Sequence, residues 1–507
     1  MAESSQTCDF SRLSKKLALI LGPLLGLVIY FVLPDNYVNE LGEVKPLMHA
    51  TKACLAILFW MATWWFTETV PIPVTAMLPI ILYPLCDVNT LDRTLAPYAS
   101  DIIFLFLGGF LLAAGIQRWG LDRRIALTTL NIVGTTKGAI VAGVMISSGF
   151  ISMWVSNAAT AAMMAPIAIA IMSVIRQAST SPTITKDERN LGTCILLAVA
   201  YGASIGGMGT LIGSPPNGIF ARFIQQSYGY EFTIAEWMKV GLPVVIILMP
   251  LTWILLTKVL FRSKLNEIVG GREWIQSELK KLGRLSAGEK SVLTVFTIAI
   301  LLWCFSSQIR SVTCGDNVRP FKYLTDAVIA MIAGVSLFCI PVKIGSGERA
   351  LDWKHCDTIP WDVLLLFGGG LSMAAAIQET GCAALIAAQA TAFSGLPSWI
   401  IVFGVCTLVV FATEFTSNTA LTATMLPLLA AAAPVLGVPV EQVLLVTTIG
   451  ASAAFMMPVA TPPNAIIFGT GHIQMREMIR AGFWLNIISI VVISLACIFF
   501  GSIHIPT

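Results

Sequence analysis

The segment MWVSNAATAAMMAP, residues 153–166, places a Ser-Asn pair inside a long apolar region. The segment EFTSNTALTATMLP, residues 414–427, repeats this pattern 261 residues later. A serine and an asparagine at membrane depth have no water to bond, so each needs another polar partner. Because a polar pair that is energetically unfavourable in an apolar region occurs twice, the sequence indicates a functional role for both Ser-Asn pairs.

The composition predicts a helical membrane protein. Of the 507 residues, 56% are hydrophobic and only 12% are charged, whereas soluble domains carry about 25% charged residues. Several apolar runs reach the ~20 residues that a helix needs to cross a bilayer. The 11 cysteines include no C-x-x-C pair, and the four histidines lie far apart in the sequence, which argues against a metal or haem centre.

Eleven apolar segments predict transmembrane helices. They are 17–33, 53–67, 70–86, 101–116, 191–221, 241–261, 291–307, 326–342, 362–377, 442–470 and 482–503.

Two further stretches, 138–175 and 399–436, are apolar at both ends and carry the Ser-Asn pairs in the middle. Their flanks are rich in small residues, which pack closely without lipid contact, so we expect two re-entrant helical hairpins. Two full crossings joined by a polar turn remain the alternative, because both arrangements return the chain to the same side.

The distribution of Lys and Arg predicts the orientation. With the N-terminus inside, the inner segments hold 22 of these residues and the outer segments hold eight. This bias predicts a cytoplasmic N-terminus and an external C-terminus in a multi-pass protein of the inner (plasma) membrane. No small-residue cleavage site follows the first apolar run, so that run is interpreted as a retained helix. The largest polar insert, 262–290, predicts a partly helical cytoplasmic linker.

The two halves of the chain resemble each other. The sequence DIIFLFLGG at Asp101 matches DVLLLFGGG at Asp362, and SPPN at 214–217 matches TPPN at 461–464. Five predicted crossings separate Asp101 from Asp362, an odd number, so the repeats must insert with opposite orientation. Inverted repeats are typical of secondary transporters, whose sites lie near the midplane. The predicted organisation is a region with the first transmembrane helix (1–52), a first inverted repeat (53–261), the linker (262–290) and a second inverted repeat (291–507).

The tip of each predicted hairpin joins the end of one helix to the start of the next. The ending helix presents unpaired carbonyls, which suit a cation, and the starting helix presents free N–H groups, which suit a carboxylate. Hard cations such as sodium prefer oxygen ligands. Ser152, Ser156 and Asn157 offer such oxygens about one turn apart, and the second half has Thr413, Ser417 and Asn418 at the equivalent positions.

Two proline pairs predict broken helices in segments 191–221 and 442–470, because proline removes an N–H donor from the helix. Irregular backbone at membrane depth survives only where it is buried in protein or lines a cavity. We therefore expect freed carbonyls near Gly213 and Ala460 to complete two cation sites. A merely kinked helix is the alternative, but two kinks at equivalent positions, each matched with a Ser-Asn pair, favour function.

These motifs resemble the divalent anion/sodium symporter family. FLFLGGF, TSNTALTATMLP and TPPNAIIFG look most similar to its bacterial sodium/dicarboxylate members, and the resemblance covers about residues 17 to 503. It implies an all-α polytopic membrane protein with about 11 transmembrane helices, two re-entrant hairpins and inverted-topology repeats. It also implies sodium-coupled symport of C4-dicarboxylates (succinate, fumarate, malate) into the cell, by an elevator-type movement in a homodimer.

The resemblance implies at least two sodium sites and one anion site. The first sodium is expected at Ser152, Ser156, Asn157 and Gly213, and the second at Thr413, Asn418 and Ala460. The carboxylates of the anion are expected to contact Ser156, Asn157, Ser214, Ser417, Asn418, Thr419, Thr461 and Pro462.

One departure from the family pattern affects the anion site. The family motif reads Ser-Asn-Thr, but Ala158 follows the first Ser-Asn pair here, whereas Thr419 keeps the hydroxyl in the second. A lost hydrogen bond costs about 1 kcal/mol, roughly fivefold in affinity. The preferred anion therefore stays open, with citrate or sulfate symport and dicarboxylate exchange as alternatives. The absence of Lys and Arg from both motifs favours cation-coupled import over exchange.

Four acids lie within or beside apolar segments, where an acid suggests a function by default. Glu414 directly follows Thr413 and is expected to tune the second cation site. Glu68 is expected to cap or pack at a turn, and Asp101 and Asp362 are expected to cap helix starts. No catalytic acid/base pair or metal cluster stands out, so we expect no enzymatic activity. We also expect no nucleic-acid partner, and the lipid bilayer as the surroundings.

Overall fold

The computed structural model describes residues 2–38, 43–179, 181–265, 268, 270–314, 318–343, 347–390 and 395–500. Helices dominate the described chain, and the one sheet in it is a short antiparallel pair, β1 (Asn36–Val38) and β2 (Val44–Pro46).

The helices of the first half precede residue 262. They are α1 (Ala2–Val32), α2 (His49–Thr67), α3 (Ile72–Thr75), α4 (Leu78–Leu85), α5 (Leu91–Leu95), α6 (Asp101–Trp119), α7 (Leu121–Val133), α8 (Lys137–Ser152), α9 (Asn157–Gln177), α10 (Lys186–Gly207), α11 (Pro215–Tyr228) and α12 (Ile234–Ile254). A 3₁₀ turn at Ala96–Ala99 leads into α6, and a π-helical segment at Leu255–Leu260 extends α12.

The helices of the second half begin after the polar insert. They are α13 (Gly271–Leu282), α14 (Ala287–Cys304), α15 (Ser306–Ser311), α16 (Asp326–Cys339), α17 (Trp361–Glu379), α18 (Cys382–Ala390), α19 (Ser398–Ala412), α20 (Asn418–Ala432), α21 (Val440–Ala451), α22 (Pro462–Gly469) and α23 (Met475–Phe500). A 3₁₀ turn at Trp353–Thr358 precedes α17. The polar insert 262–290 contains the helix α13.

The helical membrane class is confirmed. Among the described residues, seven helices have the length and hydropathy to cross a membrane, and seven further apolar helices have 10–17 residues. The predicted segment 70–86 is not one continuous helix. It forms α3 and α4, because Pro71, Pro73 and Pro79 lie at the starts of these helices and proline lacks the N–H that a helix interior needs. The count of eleven crossings stays a prediction.

The lengths of the hairpin arms bear on their re-entrant interpretation. The 16 residues of α8 rise about 24 Å, and the 15 residues each of α19 and α20 rise about 22 Å, all less than the ~30 Å hydrocarbon core. Only α9, with 21 residues, has the length of a full crossing within this set. Three short arms out of four support hairpins that end inside the protein, and the inverted orientation of the halves stays a prediction.

Close packing between α8 and α10 positions the first hairpin beside the first helix break. Gly149 and Gly206 face each other so closely that a Cβ atom on Gly206 would lie 2.2 Å from the carbonyl oxygen of Gly149. Small residues allow this approach of two backbones, as is common between membrane helices. The contact lies three residues before Ser152, at the end of α8, and one residue before the end of α10.

We predict that Gly206→Ala destabilises the fold by about 2 kcal/mol, because the new methyl group must push the α8 backbone away. Gly404→Ala is the matched control, since a Cβ atom there meets nothing within 4 Å. The thermal unfolding temperature of both variants in detergent checks this. An unfolding temperature of Gly206→Ala equal to that of the control would contradict the packing described here.

Candidate anion and cation site

The two Ser-Asn motifs and the two helix breaks line one cavity of about 580 Å³. Helices α9, α11, α20 and α22 begin at this cavity, and residues from the starts of α3 and α17 also line it. Every residue expected to contact the anion lines it: Ser156, Asn157, Ser214, Ser417, Asn418, Thr419, Thr461 and Pro462. The structure therefore brings together residues that are more than 300 positions apart in the sequence.

Hydroxyl residues occupy the N-cap positions of α9, α11, α20 and α22, and two of them make a side-chain capping bond. The side chain of Ser156 accepts a hydrogen bond from the N–H of Ala159 at 3.3 Å, and that of Ser417 accepts one from the N–H of Ala420 at 3.4 Å. The other two N-caps are Ser214 and Thr461. Each helix start carries about half a positive elementary charge, so the cavity wall favours an anion.

Among the described residues, neither Lys nor Arg lines this cavity, whereas two acids, Glu68 and Asp362, do. Helix starts alone must therefore supply the fixed positive potential. A doubly charged anion in such a cavity needs further positive charge close by, because two carboxylates removed from water repel each other strongly.

The first oxygen cluster lies around Asn157. Its Oδ1 atom is 2.5 Å from Oγ of Ser152, which is fully buried. The same side-chain position is 3.2 Å from the carbonyl oxygen of Ala203 and 3.1 Å from that of Gly213. With the amide nitrogen in this position, Asn157 donates to both carbonyls. With the oxygen there, three further oxygens lie 2.5–3.2 Å from it, and a hard cation prefers such a set of oxygen ligands.

The second oxygen cluster has the same design. The fully buried hydroxyl oxygen of Thr413 lies 2.7 Å from Oδ1 of Asn418 and 2.8 Å from the carbonyl oxygen of Ala451, and its one hydrogen can be donated to either. Ala460 lines the cavity nearby.

Of the residues expected to bind sodium, Ser152, Asn157 and Gly213 meet in the first cluster, and Thr413 and Asn418 meet in the second. Ser156 and Ala460 line the cavity. The hydroxyl, amide and carbonyl oxygens of the two clusters are donors that fit sodium.

Sequence reasoning missed the carbonyls of Ala203 and Ala451. A backbone ligand leaves no side-chain signal, because any residue can supply a carbonyl. The two alanines are 248 positions apart, which is the offset between the GAS motifs at 202–204 and 450–452. That repeat offset was the one available signal for this pair.

Two asparagines hold the helix breaks in shape. The Nδ2 atom of Asn217 donates to the carbonyls of Gly207 at 2.9 Å and Thr210 at 2.7 Å. In the second break, Asn464 donates to the carbonyls of Ala454 at 3.2 Å and Met457 at 3.1 Å. These partners are related by one offset of 247. In each half, the asparagine after the proline pair donates to carbonyls that have lost their N–H partners where the helix breaks.

Glu414 supports the second break from behind the cavity. Its carboxylate is fully buried and accepts hydrogen bonds from the backbone N–H groups of Phe455, Met456 and Met457 at 2.8–3.1 Å. Nδ2 of Asn486 donates to the same carboxylate at 2.7 Å. Glu414 therefore holds the segment between Ala451, in the second oxygen cluster, and Ala460, which is how it would tune a cation there.

The other three acids lie at helix ends. Glu68 is the C-cap of α2 in the left-handed conformation, with φ 46°, and also lines the cavity. The expectation that Asp101 and Asp362 cap helix starts is wrong in detail, because the N-cap positions belong to Ser100 and Pro360. Both aspartates lie in the first helical turn, where a negative charge is stabilised by the helix dipole, and Asp101 also pairs with Arg222 at 3.0 Å.

Comparison with known proteins agrees with this architecture. The model of the family described as "Sodium:sulfate symporter transmembrane region" matches residues 28–505. The chain belongs to this family. The resemblance found in the sequence motifs is thereby confirmed, and the family consists of transporters rather than enzymes.

Relatives with high identity cover nearly the whole chain. The "Sodium-dependent dicarboxylate transporter SdcS" of Staphylococcus saprophyticus is 39% identical over 485 residues, covering 95% of this chain and 90% of the relative. The protein of the same name from Staphylococcus aureus (strain USA300) is 40% identical over 493 residues, covering 96% and 92%.

Two solved structures share the fold at low sequence identity. The Alcanivorax borkumensis YdaH transporter superimposes with a TM-score of 0.57 at 12% identity, covering 96% of this chain and 97% of the other. Neisseria gonorrhoeae MtrF gives a TM-score of 0.55 at 14% identity, covering 96% and 94%. These likenesses concern the fold alone, and both proteins are membrane transporters.

We predict that Glu414→Gln lowers the stability of the fold by about 3 kcal/mol. The amide would place an NH₂ group against backbone N–H donors and would remove charge-assisted hydrogen bonds. Glu273→Gln on the exposed face of α13 is the matched control. Thermal unfolding in detergent checks this, and an equal unfolding temperature for the two variants would show that the carboxylate does not hold the break.

Proposed function

We propose that this protein is a secondary active transporter that couples sodium to the import of C4-dicarboxylates such as succinate, fumarate and malate. The observation that carries the proposal is the cavity itself, where the starts of α9, α11, α20 and α22 meet two oxygen clusters and no Lys or Arg is among the described lining residues. The relatives named as sodium-dependent dicarboxylate transporters support the same substrate and the same coupling ion.

Charge balance explains why the two substrates would bind together. Sodium at the clusters of Asn157 and Asn418 places positive charge beside the cavity and fixes the tips of the two motifs. The two carboxylates of the anion then accept hydrogen bonds from the Ser, Thr and Asn side chains and from the starts of α9 and α20. Without sodium, the acids Glu68 and Asp362 would repel the dianion.

The two-ended form of the site favours a dicarboxylate over sulfate. Two separate Ser-Asn motifs line the cavity, and each supplies its own helix start. A C4-dicarboxylate has two separated carboxylates to match, whereas sulfate concentrates its charge on one centre. Citrate and sulfate stay alternatives because the family description names sulfate, and dicarboxylate exchange is the alternative without sodium coupling.

The proposed setting is the plasma membrane, with the N-terminus in the cytoplasm and the C-terminus outside. The proposed movement is of the elevator type in a homodimer, with the two inverted repeats (53–261 and 291–507) contributing one motif pair each. The contacts within the oxygen clusters support a site that moves as a unit. Each cluster joins a hairpin tip to the helix break of its own half.

The decisive test is succinate uptake into proteoliposomes under an inward sodium gradient. We predict concentrative uptake with sodium and uptake at least tenfold lower with potassium. We also predict at least a tenfold loss in Asn418→Ala, because the second cluster and the anion site both lose an amide. Asn131→Ala, on the exposed face of α7, is the matched control. Uptake that needs internal dicarboxylate but no sodium would overturn symport in favour of exchange.

Ala158 gives a second test, specific to this chain. It lines the cavity where the second motif has Thr419. We predict that Ala158→Thr lowers the KM for succinate about fivefold, because the added hydroxyl supplies one hydrogen bond to a carboxylate. Thr419→Ala should raise KM by a similar factor. Initial uptake rates at saturating sodium measure both, and unchanged KM values would remove these two positions from the anion site.

A further inference from the structure

A second cavity, of about 570 Å³, lies at the start of α8 and shares no lining residue with the anion cavity. It is formed between the first turn of α8 and the end of α12 with its π-helical extension. Its lining residues are Thr136, Lys137, Gly138, Ala139, Trp253, Thr257, Lys258, Arg262 and Ser263. The proposed transport function assigns no role to this cavity.

Three cationic side chains line this second cavity, and no carboxylate among the described residues forms an ion pair with them. Lys137 donates to the carbonyl of Ser263, and Nε of Arg262 donates to the carbonyl of Lys258 at 2.5 Å. The ammonium of Lys258 lies 5.7 Å from the ring centre of Trp253. Three like charges held in one concave space favour an anion there.

We place this cavity at a membrane interface. The helix Ile234–Leu260 has the length and hydropathy of a membrane span, and the cavity lies at its end. Trp253 donates from its indole N–H to the carbonyl of Gly138 at 2.9 Å, and tryptophan is enriched at such interfaces. Lys137 and Arg262 belong to segments that the Lys and Arg distribution predicts to be cytoplasmic.

An exposed apolar face continues from this cavity along the same helix. Ile246, Ile247, Ile254 and Val259 are 65%, 42%, 43% and 54% exposed. In a membrane these side chains contact acyl chains. An anion that carries acyl chains can therefore satisfy the cationic cavity and the apolar face together, which a soluble anion cannot do.

We propose that this second cavity binds the phosphate-bearing headgroup of an anionic phospholipid, with the acyl chains along the exposed isoleucines of α12. Basic pockets between membrane helices are suited to such headgroups. The first N–H groups of α8 add further donors for the phosphate. The bound headgroup would fasten the start of α8 to α12, and α8 leads directly to Ser152 in the first oxygen cluster.

The test is lipid retention by the full-length detergent-solubilised protein, measured by native mass spectrometry with phosphatidylglycerol and phosphatidylcholine. We expect retention of phosphatidylglycerol at least tenfold above that of phosphatidylcholine. Each cation near a membrane surface contributes about fivefold in affinity, so the combined variant Lys137→Gln, Lys258→Gln and Arg262→Gln should lose this preference. The control Arg272→Gln, Lys280→Gln and Lys290→Gln removes the same charge from exposed positions outside the cavity and should keep it.

Three outcomes would overturn the proposal. The first is equal retention of both lipids by the unmodified protein, a measurement that does not depend on any variant folding. The second is an equal loss of preference in the cavity variant and the control variant, which would show that only net charge matters. The third is displacement of the lipid by millimolar glycerol phosphate, which would identify the occupant as a soluble anion. Because all three measure binding rather than uptake, they stand apart from the test of transport.

Discussion

Polar groups at membrane depth have no water to bond, and this constraint governs the architecture of the anion cavity. Two helices break where Pro215 and Pro462 begin new ones, and the carbonyls freed by these breaks must find partners. Asn217 and Asn464 satisfy some of them, and the amide of Asn157 and the hydroxyl of Thr413 approach others. The breaks thus leave the carbonyl oxygens that form the clusters. These oxygens need a partner, which is either an amide N–H donor or a cation.

The same constraint links the two oxygen clusters to the cavity that we propose binds the anion. A helix break or hairpin tip exposes carbonyls on one side and N–H groups on the other. Where the two Ser-Asn tips meet the two breaks, the N–H ends of α9, α11, α20 and α22 face one cavity, and the carbonyls gather behind it. Helix ends can therefore provide a place for a cation beside a place for an anion. This arrangement needs no lysine or arginine side chain.

Much of this arrangement was predictable from the sequence, for identifiable reasons. The Ser-Asn and Pro-Pro-Asn motifs are side-chain signals that recur at fixed offsets, so the break positions followed from them, whereas the set of lining residues came from the family resemblance. Carbonyl ligands such as Ala203 carry no such signal, and Glu414 gave no hint that it would hold three backbone N–H groups. Segment 70–86 is long and apolar enough to suggest one helix, but it forms α3 and α4 because prolines at the starts of these helices interrupt it.

The halves also differ in ways that only the three-dimensional contacts explain. Met153 occupies the position that Glu414 has in the second half, and its backbone carbonyl accepts a hydrogen bond from the hydroxyl of Thr210. A hydroxyl thus holds the first break and a carboxylate holds the second, which makes the two oxygen clusters unequal.

The measurement that tests the central claim most directly is equilibrium binding of radiolabelled succinate to the purified protein as sodium is varied. We predict that binding strengthens steeply with sodium and is negligible in choline, whereas equal binding in both salts would contradict the proposed dependence of anion binding on sodium.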